Sequence, residues 1–321
     1  MKLLKLIPDN TNIDFMRWRN IALILSLVLT VASLVLVGAR GLTLGIDFVG
    51  GQVVRVNFAQ PVDTEDLRAK IADLHVGDAG IQSFGNDRTY QIRLPKPDGP
   101  EAAASEVVTK VRSFIPQAYP GAVVSAGESV SGKVSEELAT SGALAIALAM
   151  LGIAIYIWFR FEWQFGVGAL ATLFHDVCLI FGFFALFRNF QVDLNIVAAF
   201  LAVVGYSLND TVVIYDRIRE NLRKFRKMGI IPLINLSLNE TLSRTIVTSL
   251  SIMLALAMLL IFGPDVITGL TLAILLGTFI GTYSSIYISA PILVWLGVKP
   301  DSFLRTHETE EESAPGLTAE T

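Results

Sequence analysis

Leu194-Asn195-Ile196-Val197-Ala198-Ala199-Phe200-Leu201-Ala202-Val203-Val204-Gly205-Tyr206-Ser207-Leu208-Asn209-Asp210-Thr211-Val212-Val213-Ile214-Tyr215-Asp216-Arg217 is an apolar run with one acid deep inside it. At about 1.5 Å per residue, Asp210 falls about four turns into a helix long enough to cross a bilayer. A carboxyl group there is costly. Intramembrane acids usually face a protein interior, find a partner and mark an ion or proton route. A second reading lets Asp210 hydrate at the headgroups near Arg217. Arg244 opens the next apolar stretch. If the two helices run antiparallel, it enters from the same side and can approach Asp210.

Working outward, the composition is that of a membrane protein: 53% apolar residues in 321 and a mean hydropathy of +0.58. The formal charge of −4 says little, because acids and bases are segregated along the chain. Nucleic-acid binding has no support, since the bases collect beside apolar spans without exposed aromatics between them. The one cysteine, Cys178, sits inside a span, so no intrachain disulfide forms. His75, His175 and His307 lack metal-ligand spacing, and neither a metal nor another cofactor is expected.

The pattern predicts six membrane helices with one small α+β domain between the first two. Its divisions are an N-terminus 1–19, spans 20–39, 139–159, 164–187, 193–215, 244–262 and 266–298, a soluble domain 40–138, a basic segment 216–243 and an acidic tail 299–321. The first span is too long for a signal-peptide core. In the soluble domain, a strand over 52–58, a helix over 62–75 capped by Asp63 or Thr64, a hairpin around Gly85-Asn86-Asp87, a helix from Glu101 stopped by Pro116 and a strand over 122–126 give the order βαββαβ. That is a ferredoxin-like sandwich, and it carries no nucleophile, phosphate loop or metal cluster. Asp216 to Met228 reads as a helical extension ending at Gly229, with its bases anchoring to anionic membrane lipid or meeting a cytoplasmic partner. Pro291 kinks or ends the last span. The tail beyond Pro300 reads as disordered.

Lysine and arginine counts choose a topology. With the N-terminus cytoplasmic, the inner segments hold fourteen of the 25 bases and the two short outer loops only Arg188. The soluble domain is then outside, which in a bacterium means the periplasm. Both termini are cytoplasmic.

Three polar patches interrupt the spans: Thr172, His175 and Asp176; Ser207 and Asp210; and Arg244, Thr248 and Ser251, with Thr241 a turn earlier. Burial opposes ionisation of Asp210 and a nearby guanidinium favours it, so approach or withdrawal of Arg244 can move a proton. His175 and Asp176 read either as relay members or as a buried pair that orients two helices. Arg244 reads either as partner or as a snorkelling base. One proton crossing ~100 mV releases roughly 2.3 kcal/mol, enough to bias a conformational equilibrium more than tenfold. A further motif, Gly45-Ile46-Asp47-Phe48-Val49-Gly50-Gly51, reads as a structural joint between helix and soluble domain, with Asp47 capping or bonding local backbone.

The glycine motif, Phe159-Arg160-Phe161-Glu162-Trp163, His175-Asp176, Gly205 to Asp210, Asp216-Arg217-Ile218-Arg219-Glu220-Asn221 and Ser243-Arg244-Thr245 together resemble the SecF branch of the SecD/SecF family. These are bacterial protein-export membrane subunits of the resistance-nodulation-division superfamily. The resemblance runs to about Val298. It implies pairing with SecD, docking on the SecYEG channel, and use of the proton-motive force to promote translocation of SecA-driven preproteins across the inner membrane. It also implies that Asp210 is the proton-coupling aspartate and Arg244 its partner, with His175 and Asp176 in a family motif. A half-sized subunit then leaves part of the path to SecD. Two other classes remain open at this level: a superfamily exporter of small molecules or lipids, which usually has two large outer domains, and a passive scaffold.

Overall fold

The computed structural model describes residues 11–77, 79–84, 86–94, 101–125, 127–264 and 267–298. The acidic tail and the first ten residues lie outside them, as do Gly85 in the hairpin and Ala126 and Val266 at two expected element ends.

Six helices are long and apolar enough to cross a bilayer. They comprise α1 (Arg19–Arg40), α5 (Gly132–Arg160), α6 (Trp163–Leu186), α7 (Leu194–Lys224), α8 (Ile230–Phe262) and α9 (Thr268–Ser284) with its continuation. Helices α6, α7 and α9 form the interior, whereas α1, α5 and α8 turn most of their surface outward. Small residues allow the close approach. A Cβ at Gly277 of α9 would collide with Val203 of α7, and one at Gly182 of α6 with Ser33 of α1. Such contacts replace the hydrophobic driving force that helices lack in lipid.

The small domain contains α3 (Thr64–Ala72), α4 (Glu101–Ala118) and strands β1 (Gly51–Asn57), β2 (Gly80–Phe84), β3 (Asn86–Leu94), β4 (Val123–Val124) and β5 (Glu128–Val130). The strand order β2-β3-β1-β4 is that of a ferredoxin-like sandwich. Alternation on β1 and β3 sends Val54, Val56, Tyr90, Ile92 and Leu94 onto Leu67, Ile71, Val111 and Ile115 of the two helices. Asp63 caps α3 by accepting from the Glu65 amide.

Several expectations are corrected. Pro116 does not stop α4, which runs on to Ala118; near a helix end the lost N–H costs little cooperativity. The last strand is only two residues, and β5, unforeseen, pairs with β1 through Gly51, Gln52 and Val53. Helix α5 begins at Gly132, inside the expected soluble segment, because Ser131 accepts from the Val134 amide and caps it. The basic segment 216–243 is helical except for a turn: α7 continues to Lys224 and α8 starts at Ile230. Gly229 has φ −63° and ψ 151° and is the N-cap of α8, not a glycine stop for α7. The last span breaks from α9 into a π-helical turn (Ser285–Ser289) and then α10 (Ala290–Trp295), with Pro291 at the second position of α10. The π turn supplies the local change that the proline ring requires. Phe15–Trp18 form a 3₁₀ turn held to α8, where Asn235 and Asn239 accept from the Met16 and Ile13 amides.

The joint between domain and bundle is built from the glycine motif. Gly41 and Gly50 adopt φ of 67° and 71°, which glycine tolerates, with the four-residue helix α2 (Ile46–Val49) between Gly45 and Gly50. Leu44 and Val192 make a parallel bridge. The Gly45 amide donates to Val192 O at 2.8 Å, and the Val192 amide to Thr43 O at 2.7 Å. Among the described residues Asp47 bonds across to the bundle rather than to its own loop: Oδ2 accepts from the Leu194 amide at 2.9 Å, at the start of α7. The domain is thus tied directly to the helix that carries Asp210.

Candidate functional site

Asp176 and Asp210 are both buried in the bundle, at 1% and 3% exposure. Their surroundings differ. Asp176, on α6, is held by three groups from three helices. His175 Nδ1 lies 2.9 Å from Oδ1, Ser207 of α7 donates to Oδ2 at 2.5 Å, and Ser284 of α9 donates to the same oxygen at 2.9 Å. Both carboxyl oxygens are therefore hydrogen-bonded within the protein, as a buried polar group requires.

Asp210 lies one turn beyond Ser207 on α7. Its one hydrogen bond among the described residues is from Ser249 of α8, at 3.5 Å to Oδ2, the weak limit for such a bond. Ser249 in turn accepts from Tyr206 at 2.9 Å and from Thr282 of α9 at 2.8 Å. The site is a carboxyl group facing a hydroxyl cluster, with no strong counter-charge in contact. Such a group is open to a change of protonation when its environment changes.

Arg244 does not pair with Asp210 in this structure. Its side chain faces outward and makes no hydrogen bond or ion pair among the described residues. Of the α8 residues expected to share one face, Arg244 and Ser251 are exposed and Thr248 is half-buried. Thr241, Thr245 and Ser249, each four residues on from the last, are the buried set. Ser249 was missed, though its spacing from Thr241 was readable. Thr172 donates to Gly168 O at 2.8 Å within α6 and joins neither acid. His175 is also buried, and its Nε2 has no protein partner among the described residues. Gly45, Asp47, Gly50 and Gly51 lie at the joint described above, on the small-domain side and apart from Asp210.

On the opposite side, three arginines are tied into ion pairs. Arg160 meets Asp216 at 2.7 Å, Arg219 meets Glu162 at 3.0 Å, and Arg217 meets Glu240 at 2.7 Å. Asn221 also donates to Glu240 at 2.6 Å. These link the far ends of α5, α6, α7 and α8. Among the described residues no group of three histidine, cysteine or acidic side chains is placed to hold a metal.

A family model for the C-terminal part of the protein export membrane protein SecD/SecF matches residues 111–299, and one for the SecD/SecF GG motif matches residues 35–62. The protein translocase subunit SecF of Cereibacter sphaeroides is 44% identical over 301 residues, covering 92% of this chain and 93% of that one. That of Pseudomonas aeruginosa is 41% identical over 294 residues, covering 91% and 94%. Among solved structures, SecDF of Thermus thermophilus, a translocon-associated membrane protein, superposes with a TM-score of 0.83 at 32% identity over 91% of this chain. SecDF in its super-membrane-facing form gives 0.65 at 30% identity over 95%. The chain spans 39% and 40% of those two SecDF chains.

Proposed function

The chain belongs to the SecD/SecF family of protein-export membrane proteins, and we infer that it is a SecF-type subunit that converts proton flow through Asp210 into movement assisting preprotein export. The observation that carries this reading is Asp210 itself: an acid at 3% exposure inside a helix bundle, held by one 3.5 Å contact. A fully satisfied carboxylate stays as it is. One so loosely held changes its charge when a base approaches or water enters.

In this reading the chain lies in a bacterial inner membrane with both termini cytoplasmic and the small domain periplasmic, as the distribution of bases supports. It pairs with a SecD-type partner. Arg244 supports that pairing, because a guanidinium with Ser243 and Ser251 on the outer face of α8 suits protein contact better than lipid. Partner binding or a rotation of α8 brings Arg244 toward Asp210 and favours the carboxylate; withdrawal favours the acid. The Asp47 bond to the Leu194 amide then transmits a shift of α7 to the periplasmic domain. Docking on SecYEG and action on SecA-driven preproteins complete the proposal, with no cofactor. Protonation of His175 or Asp176 is a secondary role, since both belong to the tightly bonded cluster.

The test is preprotein translocation into vesicles that contain the paired subunits. Asp210→Asn should remove the stimulation by a proton gradient and leave the partner bound. Undiminished stimulation refutes the reading.

A further inference from the structure

Hydroxyl side chains inside helices usually donate to the carbonyl four residues back. Most in this bundle do so: Thr30 to Ser26 O at 2.7 Å, Thr241 to Ser237 O at 3.0 Å, and Ser251 to Val247 O at 2.7 Å. Thr245, Thr271 and Thr278 do not. All three are buried, at 1%, 0% and 0% exposure, and their Oγ1 atoms have no protein partner among the described residues. Buried polar groups without protein partners are commonly met by ordered water.

Their positions form a pattern. Thr271, Thr278 and Thr282 share one face of α9, separated by about two turns and then one. The face spans roughly 16 Å from Thr271 to Thr282 at about 1.5 Å per residue. At its upper end, Gly269 and Leu270 line a cleft of about 70 Å³ beside the small domain, together with Asp47, Asn189 and Asp193. That volume admits several waters at roughly 10–15 Å³ each. At its lower end, Thr282 donates to Ser249, which donates to Asp210. Thr245 lies one turn from Ser249 on α8 and, because α8 runs opposite to α9, on the far side of Asp210.

We propose that Thr271 and Thr278 line a hydrated file that carries protons from the cleft beside the small domain to Asp210, and that Thr245 lines its exit toward the opposite side. The inference rests on the function proposed above and assigns its route. Each hydroxyl or water gives up its own proton as it accepts one, so nothing is consumed and Asp210 is the group that holds the proton between steps. The three threonines are positioning residues, since they act through water.

The experiment uses the paired subunits in vesicles. Thr271→Val and Thr278→Val together should lower gradient-driven stimulation about tenfold, less than the roughly 10²–10⁴ supplied by a directly acting acid or base. The corresponding serine pair should restore it, with unfolding midpoint and partner binding unchanged in both. In a Cys178→Ser background, Thr278→Cys should react with a small cationic thiol reagent added from the small-domain side, whereas Ala273→Cys, on the apolar side of α9, should not. Wild-type stimulation in the valine pair, or equal reactivity at 278 and 273, overturns the file. Full activity of Asp210→Asn overturns the function itself and proton carriage with it. Loss in Asp210→Asn with a normal valine pair overturns only the route.

Discussion

Asp176 and Asp210 sit one helical turn apart in depth, both out of solvent, and their neighbours give them opposite characters. Three hydrogen-bonding groups from α6, α7 and α9 converge on Asp176, while Asp210 has one distant hydroxyl. The first carboxylate is a pin across the crossing of three helices. The second has a single long contact and, in the function proposed above, is the group whose protonation follows what approaches it. A bundle that must move needs both: a fixed point, and a group whose energy changes with state.

The comparison can be broken most severely at Asp210. Asparagine there should abolish gradient-driven stimulation in the vesicle assay yet scarcely move the thermal unfolding midpoint, because only the 3.5 Å contact is lost. At Asp176 the order reverses. Alanine strands His175, Ser207 and Ser284, and should cost about 3–5 kcal/mol, the range for removing one member of a buried charged cluster; thermal unfolding of the purified complex reads it. Gly277→Val attacks the packing that brings α7 to α9 and should cost about 1–3 kcal/mol through overpacking against Val203.

The smallest effect lies in the soluble domain and supplies a contrast with both buried acids. Lys70 and then Tyr119 hydrogen-bond the exposed carboxylate of Asp66 and hold its pKa below the ordinary value. A depressed folded value means stabilisation that is present above the unfolded pKa and lost as pH falls through the folded one. Asp66→Asn should therefore flatten the acid limb of the domain's stability profile slightly, and should leave proton-driven stimulation unchanged.

The six spans were legible because length and apolarity suffice to mark them, and the ferredoxin-like order followed from alternating runs between turn residues. What the sequence hid was orientation. A helix such as α8 is apolar all round, so no stripe told Arg244 from Thr245, and the arginine drew attention from the four-residue spacing of Thr241, Thr245 and Ser249 that marks the inner face. Charge obscured helix ends as well. The helical extension read over Asp216 to Met228 is present, held by ion pairs to Glu162 and Glu240, but it ends at Lys224, and Gly229 opens α8. Asp47 could be assigned a cap but not its partner, because Leu194 lies far along the chain and meets it only through the bridge of Leu44 to Val192.

The central claim is that Asp210, not Asp176, is the carboxyl group that changes protonation. Infrared difference spectroscopy of the paired subunits, titrated in membranes, reads this directly. A protonated-carboxyl stretching band should grow on acidification, vanish in Asp210→Asn and persist in Asp176→Asn. A band that persists in the first variant and disappears in the second would contradict the account.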